Sequence, residues 1–308
     1  MAYVRCGAFE LDPARSPAVL DTTTWDQGKA WAQVRAVGEG FWRRVAANPA
    51  AGDLATPTCT VHPGSHASIG GDDIVLATLA DGQDVFIRLG KSRSSRALGR
   101  PFGSLELGGG VRLFAHPTDM PVLDRYLRWA NPERAPRAMG SVPRLGIGDR
   151  HTTAVWPAAF RAMDRAGFAA NAIQNSLREL NLLEDLKRGV PARQNYLFGF
   201  GSIAEGHTGS TFEGLLHAGA IAALKAPTCP RYGADADHIQ VKRGPGGLDR
   251  ARRVVEAARH YTFFTLDVSD ILDYGALAVA GDAEARALLS ATLRDPAREK
   301  DIRRYHCR

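Results

Sequence analysis

The chain has 308 residues, 44% of them hydrophobic and 23% charged, with a formal net charge of +6 at pH 7. This composition fits a globular protein of one large domain or two small ones, and its scattered Lys and Arg, with short clusters at Arg93–Arg100 and Arg298–Arg304, read as solvated faces rather than a nucleic-acid footprint. No stretch has the length of a membrane span, the N-terminus lacks the apolar core of a signal peptide, and Cys6, Cys59, Cys229 and Cys307 have no CxxC spacing, so the expectation is a cytoplasmic protein with reduced thiols and no membrane partner.

Taken in chain order, Thr24–Ala46 carries Trp25, Trp31, Val34, Phe41 and Trp42 and predicts one amphipathic helix. Ala47–Asp72 is rich in Pro, Gly and Ser and reads as loop. Ile74–Leu79 and Val85–Leu89 flank Ala80-Asp81-Gly82-Gln83-Asp84 and predict a β-hairpin. Gly108-Gly109-Gly110 precedes a strand at Val111–Ala115 and a helix at Asp119–Ala130. No lysine or hydroxyl follows the triple glycine at P-loop spacing, so it reads as a turn. His62, His66 and His116 lie outside any ligand-like spacing with a carboxylate. Asn131–Pro143, with three prolines, reads as a linker, which divides the chain into an N-terminal α+β region (1–140) and a barrel-type region (141–308).

Between Val142 and Asp273 one pattern recurs five times: an apolar stretch runs into a polar cluster, and in the clearest cases a helix follows. The clusters are Gly-Asp-Arg-His (148–151), Gln-Asn-Ser (174–176), Glu-Gly-His-Thr-Gly-Ser (205–210), Asp-Ala-Asp-His (235–238) and Asp-Val-Ser-Asp (267–270). Starts fall about 30 residues apart, near the size of one βαβ step. The fold class expected is α/β: a partial (β/α) TIM-like barrel of parallel strands, preceded by the α+β region. Strands are expected near 144–148, 169–174, 196–201, 231–236 and 262–267 as parallel neighbours. Helices are expected from Pro157 to Gly167, over Leu177–Lys187, Phe212–Leu224 and Leu248–Arg259. A closed barrel needs eight strands, so unless the N-terminal segment fills the gap, an open edge and exposed apolar side chains are expected, and with them self-association.

The sharpest chemistry lies in Asp235-Ala236-Asp237-His238. Alternation puts Asp235 and Asp237 on one face of a strand and His238 on the other, unless the backbone turns and brings all three onto a cation. Carboxylate oxygen with imidazole nitrogen suits Mn, Zn, Ni or Fe(II). The plainer reading is a helix cap, or pairing with Arg231 or Lys242. His207 sits between glycines that let backbone approach a ligand, or that simply make a turn. Arg150 is shaped to clamp a carboxylate, or it pairs locally with Asp149. Arg178 beside Glu179 fits a helix first turn, and His151, His217 and His260 have no comparable setting.

The runs Gly146-Ile147-Gly148-Asp149-Arg150, Gln174-Asn175-Ser176-Leu177-Arg178-Glu179-Leu180, Gly206-His207-Thr208-Gly209-Ser210-Thr211-Phe212-Glu213-Gly214 and Tyr232-Gly233-Ala234-Asp235-Ala236-Asp237-His238 resemble segments of the tagaturonate/fructuronate epimerase family, and Thr265-Leu266-Asp267-Val268-Ser269 is similar to it too. The resemblance covers about residues 142–274, in order; His151–Phe160 departs from the family pattern. It implies a metal-dependent isomerase that inverts C4 of a keto-hexuronate, with a divalent cation as cofactor and a small sugar acid as partner. The site it implies has Asp149, Asp235 and Asp267 as catalytic groups. Arg150, Gln174, Asn175, Arg178, Thr208 and Ser210 would contact substrate, and His207, Asp237 and His238 would hold metal. Family members run longer, with further histidine-bearing strand ends. The chain is therefore expected to have weak or no activity alone, and a homo-oligomer is an open possibility.

The implied chemistry is coherent. In a 2-ketose the C4 proton is not adjacent to the carbonyl, so simple deprotonation does not invert C4. Retro-aldol cleavage of C3–C4 and re-addition to the other aldehyde face does. A cation on the C2 oxygen stabilises the enediolate, and an Asp or His takes the C4 hydroxyl proton. Transient oxidation would need a nicotinamide, and no GxGxxG follows a strand. The rival readings are a metal-dependent aldolase or sugar isomerase on the same fold, and an inactive truncated homologue.

Overall fold

A computed structural model describes residues 4–6, 9–11, 26–91, 98–148, 152–176, 212–270, 281–292, 296–297, 300–301 and 304. Strands Val4–Cys6 (β1) and Phe9–Leu11 (β2) form an antiparallel pair. The aromatic-rich segment that predicts one helix forms two, Gln27–Val37 (α1) and Glu39–Ala47 (α2). Gly38 divides them: its φ of 93° is open to glycine and ends α1 while starting α2. Asp26 caps α1 by accepting from the Lys29 amide at 3.0 Å.

The expected loop at 47–72 is largely strand. Ala55–Thr56 (β3) and Cys59–Ile69 (β4) pair antiparallel, and β4 continues onto Asp72–Leu79 (β5). Pro63 and Gly64 conceal β4 in the sequence because they sit in its irregularity between His62 and Ala67, where ladder pairing is interrupted. Asp84–Gly90 (β6) completes the hairpin expected around Gly82. Gly103–Gly108 (β7) and Val111–His116 (β8) are joined through Gly108, Gly109 and Gly110, all at positive φ, so the triple glycine is a turn. The six strands run in the order β3-β4-β5-β6-β8-β7. Helix Met120–Trp129 (α3) follows, capped by Asp119.

The parallel part begins with Arg144–Gly146 (β9). Helix Thr152–Ala166 (α4) starts five residues before Pro157, the start expected from sequence. Pro157 instead lies inside the helix, where its missing N–H forgoes one backbone bond. Ala169–Ser176 (β10), helix Phe212–Lys225 (α5), Tyr232–Gln240 (β11), helix Gly247–Ala257 (α6), Phe263–Asp267 (β12) and helix Asp282–Thr292 (α7) complete the described elements. The four strands are parallel in the order β12-β11-β10-β9 and curl into a half-barrel. β10 pairs with β9 on one side and with β11 on the other, so β10 and β11, about 60 residues apart in sequence, are direct neighbours. The strand expected at 196–201, and the helix expected over Leu177–Lys187, lie outside the described residues.

Strand alternation splits the core around the antiparallel sheet. Val75 and Ala77 of β5 face one way, onto Ala30, Val34, Phe41 and Trp42 of the first two helices. Ile74 and Leu76 face the other way and join Leu123 and Tyr126 of α3, Trp156 of α4 and Leu216 of α5 in one continuous cluster. Each large side chain buried there contributes about 1.5–3 kcal/mol. The same junction carries a polar seam. Lys225 of α5 pairs with Asp84 at 2.8 Å, Thr78 donates to Asp84 at 2.5 Å, and His62 bonds Thr78 at 2.7 Å. The residues of the expected linker are bolted down as well: Arg134 is buried and donates to the Ala223 and Ala226 carbonyls at the end of α5.

Candidate functional site

The register of the parallel sheet decides which side chains meet. Asp235 is the partner of Gln174 on β10 and of Phe263 on β12. In-register neighbours point to one side of a sheet, so these three form a row on one face. The next row, Asn175-Ala236-Phe264, points the other way. Ala236 belongs to the main core, and Asn175 is buried and hydrogen-bonded to Tyr261. Of the two expected contacts from β10, the structure therefore brings Gln174 to the Asp235 face and places Asn175 on the opposite one. The Gln174 amide oxygen lies against Gly148, where an added Cβ would oblige the Gln174 side chain to shift.

The tetrad Asp235–His238 was expected at a strand end, where a turn would gather its side chains. Instead β11 runs on to Gln240, and a bulge does the gathering. Pairing with β12 passes from Ala236↔Phe264 to Ile239↔Leu266, so Asp237 and His238 together oppose Thr265 alone. His238 takes φ 52°, the one positive φ at a non-glycine among the described residues. Such a conformation costs on the order of 1–3 kcal/mol and persists where the surroundings impose it, commonly at functional sites. It turns the imidazole back to the carboxylate side. Nε2 lies 3.4 Å from Asp237 Oδ2, and Nδ1 lies 3.9 Å from Asp267 Oδ2. Asp267, the last residue of β12, accepts from the Ser269 amide at 3.1 Å and the Ser269 hydroxyl at 2.5 Å. One face thus collects Gln174, Asp235, Asp237, His238 and Asp267.

Asp235 is the most buried of these, at 7% exposure. Burial pushes its carboxyl up, and the neighbouring Asp237 charge adds to that. The Thr265 hydrogen bond (3.3 Å), Arg144 and His238 pull it down, and the result is a pKa of about 6. A carboxyl with that pKa, on a polar face open to solvent, is suited to exchange protons near neutrality. Asp237 and His238 offer the mixed oxygen and nitrogen donors expected for a transition metal. Among the described residues no group of three His, Cys, Asp or Glu side chains converges into a metal cage. Asp149, Arg150, Arg178, His207, Thr208 and Ser210 lie outside the described residues.

Three side chains of this face escape a reading of the clusters. Phe263 and Thr265 share the face by alternation with Asp267, a period-two signal present in the sequence. Arg144 gives no such signal. It begins β9, at the far edge of the sheet, yet its guanidinium carbon lies 5.0 Å from the centre of the Phe263 ring on the opposite edge strand. The curl of the sheet makes this contact.

No protein-family model and no curated protein matches this chain. Three solved structures are similar to it, all of the fructuronate-tagaturonate epimerase UxaE from Cohnella laeviribosi. The forms with one and with two glycerols bound each give a TM-score of 0.48 at 18% identity, and the native form 0.47 at 19%. Each similarity covers 82% of this chain and 43–44% of the other, so this chain spans less than half the length of those proteins. These values describe a distant likeness.

Proposed function

We propose that this chain is a sugar-acid epimerase that inverts C4 of a keto-hexuronate, interconverting D-tagaturonate and D-fructuronate. The observation that carries the reading is the gathering of Asp235, Asp237, His238 and Asp267 on one face of two adjacent parallel strands, by a bulge at His238. The motif resemblance supplies the substrate.

Asp235 accepts the C4 hydroxyl proton as the C3–C4 bond breaks, leaving a three-carbon enediolate and a three-carbon aldehyde acid. The aldehyde presents its other face, the bond re-forms, and Asp235 returns the proton to the C4 oxygen. Thr265 holds the Asp235 carboxylate in place. Asp267, fixed by Ser269, sets a negative charge 3.9 Å from the His238 ring. Gln174 reaches the same face and serves the sugar hydroxyls. Asp237 and His238, with His207 as a further ligand, would hold a divalent cation, which when bound supplies Lewis-acid stabilisation of charge on the C2 oxygen. Arg150, Arg178, Thr208 and Ser210 enter this proposal as substrate contacts and Asp149 as a second acid–base group.

The test is incubation of the purified chain with D-tagaturonate in D2O, read by proton NMR. Fructuronate that keeps its C4 hydrogen is expected. Deuterium at C4 would rule out the carbon–carbon cleavage route, and accumulation of three-carbon fragments in place of fructuronate would make the chain an aldolase. Asp237→Ala should abolish both turnover and metal retention measured by elemental analysis.

One observation favours a second reading, a homologue with weak or no turnover. β12 is an edge of the sheet, and Phe263 on this face is 38% exposed, so the face lacks a wall on that side among the described residues. Turnover by the monomeric chain on the order of 1–1000 per second overturns that reading.

A further inference from the structure

Arg144 is held in an unusual way for a cation. Its Nη1 donates to the Gly140 carbonyl at 3.0 Å and to the Val142 carbonyl at 3.2 Å. Its guanidinium lies over the Phe263 ring, a cation–π arrangement that fixes the plane. Among the described residues it has no carboxylate partner within 4 Å, although Asp235 is close enough to feel its charge. The two carbonyls use one nitrogen, which leaves the Nε–Nη2 edge, the side-on fork that matches a carboxylate with two parallel hydrogen bonds. Phe263 is the register partner of Asp235, so the fork stands over the same face as the carboxylates.

We propose that Arg144 is the residue that takes the carboxylate of a sugar acid lying on this face, and so sets which way round the substrate binds. The inference rests on the proposed function for its ligand class, and it adds the orientation. Along β11, Asp235 and Asp237 are two residues apart, about 7 Å at the usual strand rise. This is roughly the span of an extended six-carbon acid. With the carboxylate end at Arg144, whose guanidinium lies over the register partner of Asp235, the keto end reaches Asp237 and His238 about 7 Å further along β11, and C4 lies between the two carboxylates, nearer Asp235. The C4 hydroxyl then meets the group assigned to take its proton, and the C2 oxygen meets the metal-ligand pair. The reverse orientation would place the substrate carboxylate among Asp237 and Asp267, where like charges repel.

The experiment uses the full chain and two readouts, binding and turnover. Binding is followed through the Arg144 Nε–H signal in nitrogen-15 NMR, identified by its loss in Arg144→Lys, and by calorimetry. The ligands are D-tagaturonate, D-galacturonate and the neutral sugar D-tagatose. Both acids should move the signal and the neutral sugar should not. Arg144→Gln should weaken the acids about thirtyfold, leaving D-tagatose unchanged, and Arg144→Lys should recover only part of the loss. Circular dichroism of each variant reports folding. If Arg144→Lys binds the acids as tightly as the wild type, or if the Nε–H signal stays still at saturation, the assignment is overturned. Turnover of tagaturonate with undiminished affinity in Arg144→Gln would leave the epimerase reading standing and sink this one. Arg144-dependent binding without any turnover would do the reverse, and a wild-type chain that binds neither acid would refute both.

Discussion

The two sheets of this molecule treat their polar groups in opposite ways. In the six-stranded antiparallel sheet, β6 is buried along its whole length, and the polar groups there are tied to partners within the fold: Arg88 to Asp72 at 2.5 Å, Thr78 and Lys225 to Asp84. In the four-stranded parallel sheet, β11 carries an interior carboxyl pushed up to about 6, a strained histidine and a face that ends in solvent, while β12 is exposed on both faces. Parallel strands are normally covered on both sides. The contrast separates a scaffold, whose Asp72 and Asp84 are paired with Arg88 and Lys225, from a face on which Asp235 and Asp237 crowd one another beside solvent.

The contrast is most easily broken in the core. Phe86 of β6 is fully buried and its ring centre lies 4.4 Å from that of Tyr126, whereas Phe264 of β12 is 39% exposed. Phe86→Ala should cost about 3–5 kcal/mol in urea unfolding, and Phe264→Ala less than about 1 kcal/mol. Equal losses would mean that β12 is as integral to the core as β6.

Acid should act on the two sheets with opposite signs. His62 is held neutral by burial and by the Lys225 charge, against a weaker pull from Asp84, and its pKa is lowered to about 4. The unfolded chain takes up a proton near 6.5 that the folded chain refuses, so this group costs stability as pH falls from 6.5 to about 4. His116, lowered to about 3 by burial and by Arg88, extends the loss to lower pH. His62→Gln should flatten the acid limb of the stability curve by on the order of 2 kcal/mol. Asp235 works the other way. Its folded pKa of about 6 lies above the unfolded value, so its ionisation in the folded state costs stability above pH 6 and costs nothing below about pH 4. Asp235→Asn should stabilise the metal-free protein by about 1–2 kcal/mol at pH 7.5 and leave it unchanged at pH 4. An equal gain at both pH values would show that Asp235 is not under electrostatic strain.

How far the sequence discloses these features follows from the range of the interactions. The hairpin at Gly82, the cap at Asp119 and the apolar runs of β10 and β12 are written in a few adjacent residues and are legible. β4 is not, because Pro63 and Gly64 carry the composition of a loop while the flanking Cys59, Val61 and Ala67 carry the pairing. The cluster at 235–238 is legible as chemistry, but the device that assembles it is the bulge, which depends on β12 twenty-five residues on. Asn175 shows the limit of reading a motif as a unit. It stands next to Gln174 in sequence and faces the other side of the sheet. Arg144 is invisible from sequence because its setting needs the two edges of the sheet to be brought together by curvature.

The smallest expected effect on stability carries the comparison to the sheet edge. Leu266 and Leu145 are 59% and 56% exposed, and Phe263, Phe264 and Val142 lie between 38% and 40%. They belong to β12, β9 and the segment leading into β9, the edge strands on which the parallel sheet ends. A side chain that solvent already reaches loses little when made polar, so Leu266→Glu should change the unfolding free energy by no more than about 0.5 kcal/mol. Solution behaviour should change more. An exposed edge strand with apolar flanks offers unpaired backbone and greasy surface to another chain, and a charge placed there opposes that approach. Sedimentation velocity across a range of concentrations should show self-association of the wild type that Leu266→Glu reduces. A variant destabilised by more than about 1 kcal/mol, or one that associates as strongly as the wild type, would mean that Leu266 is covered in solution, and the difference between a sealed scaffold and an open working sheet would have to be abandoned at this edge.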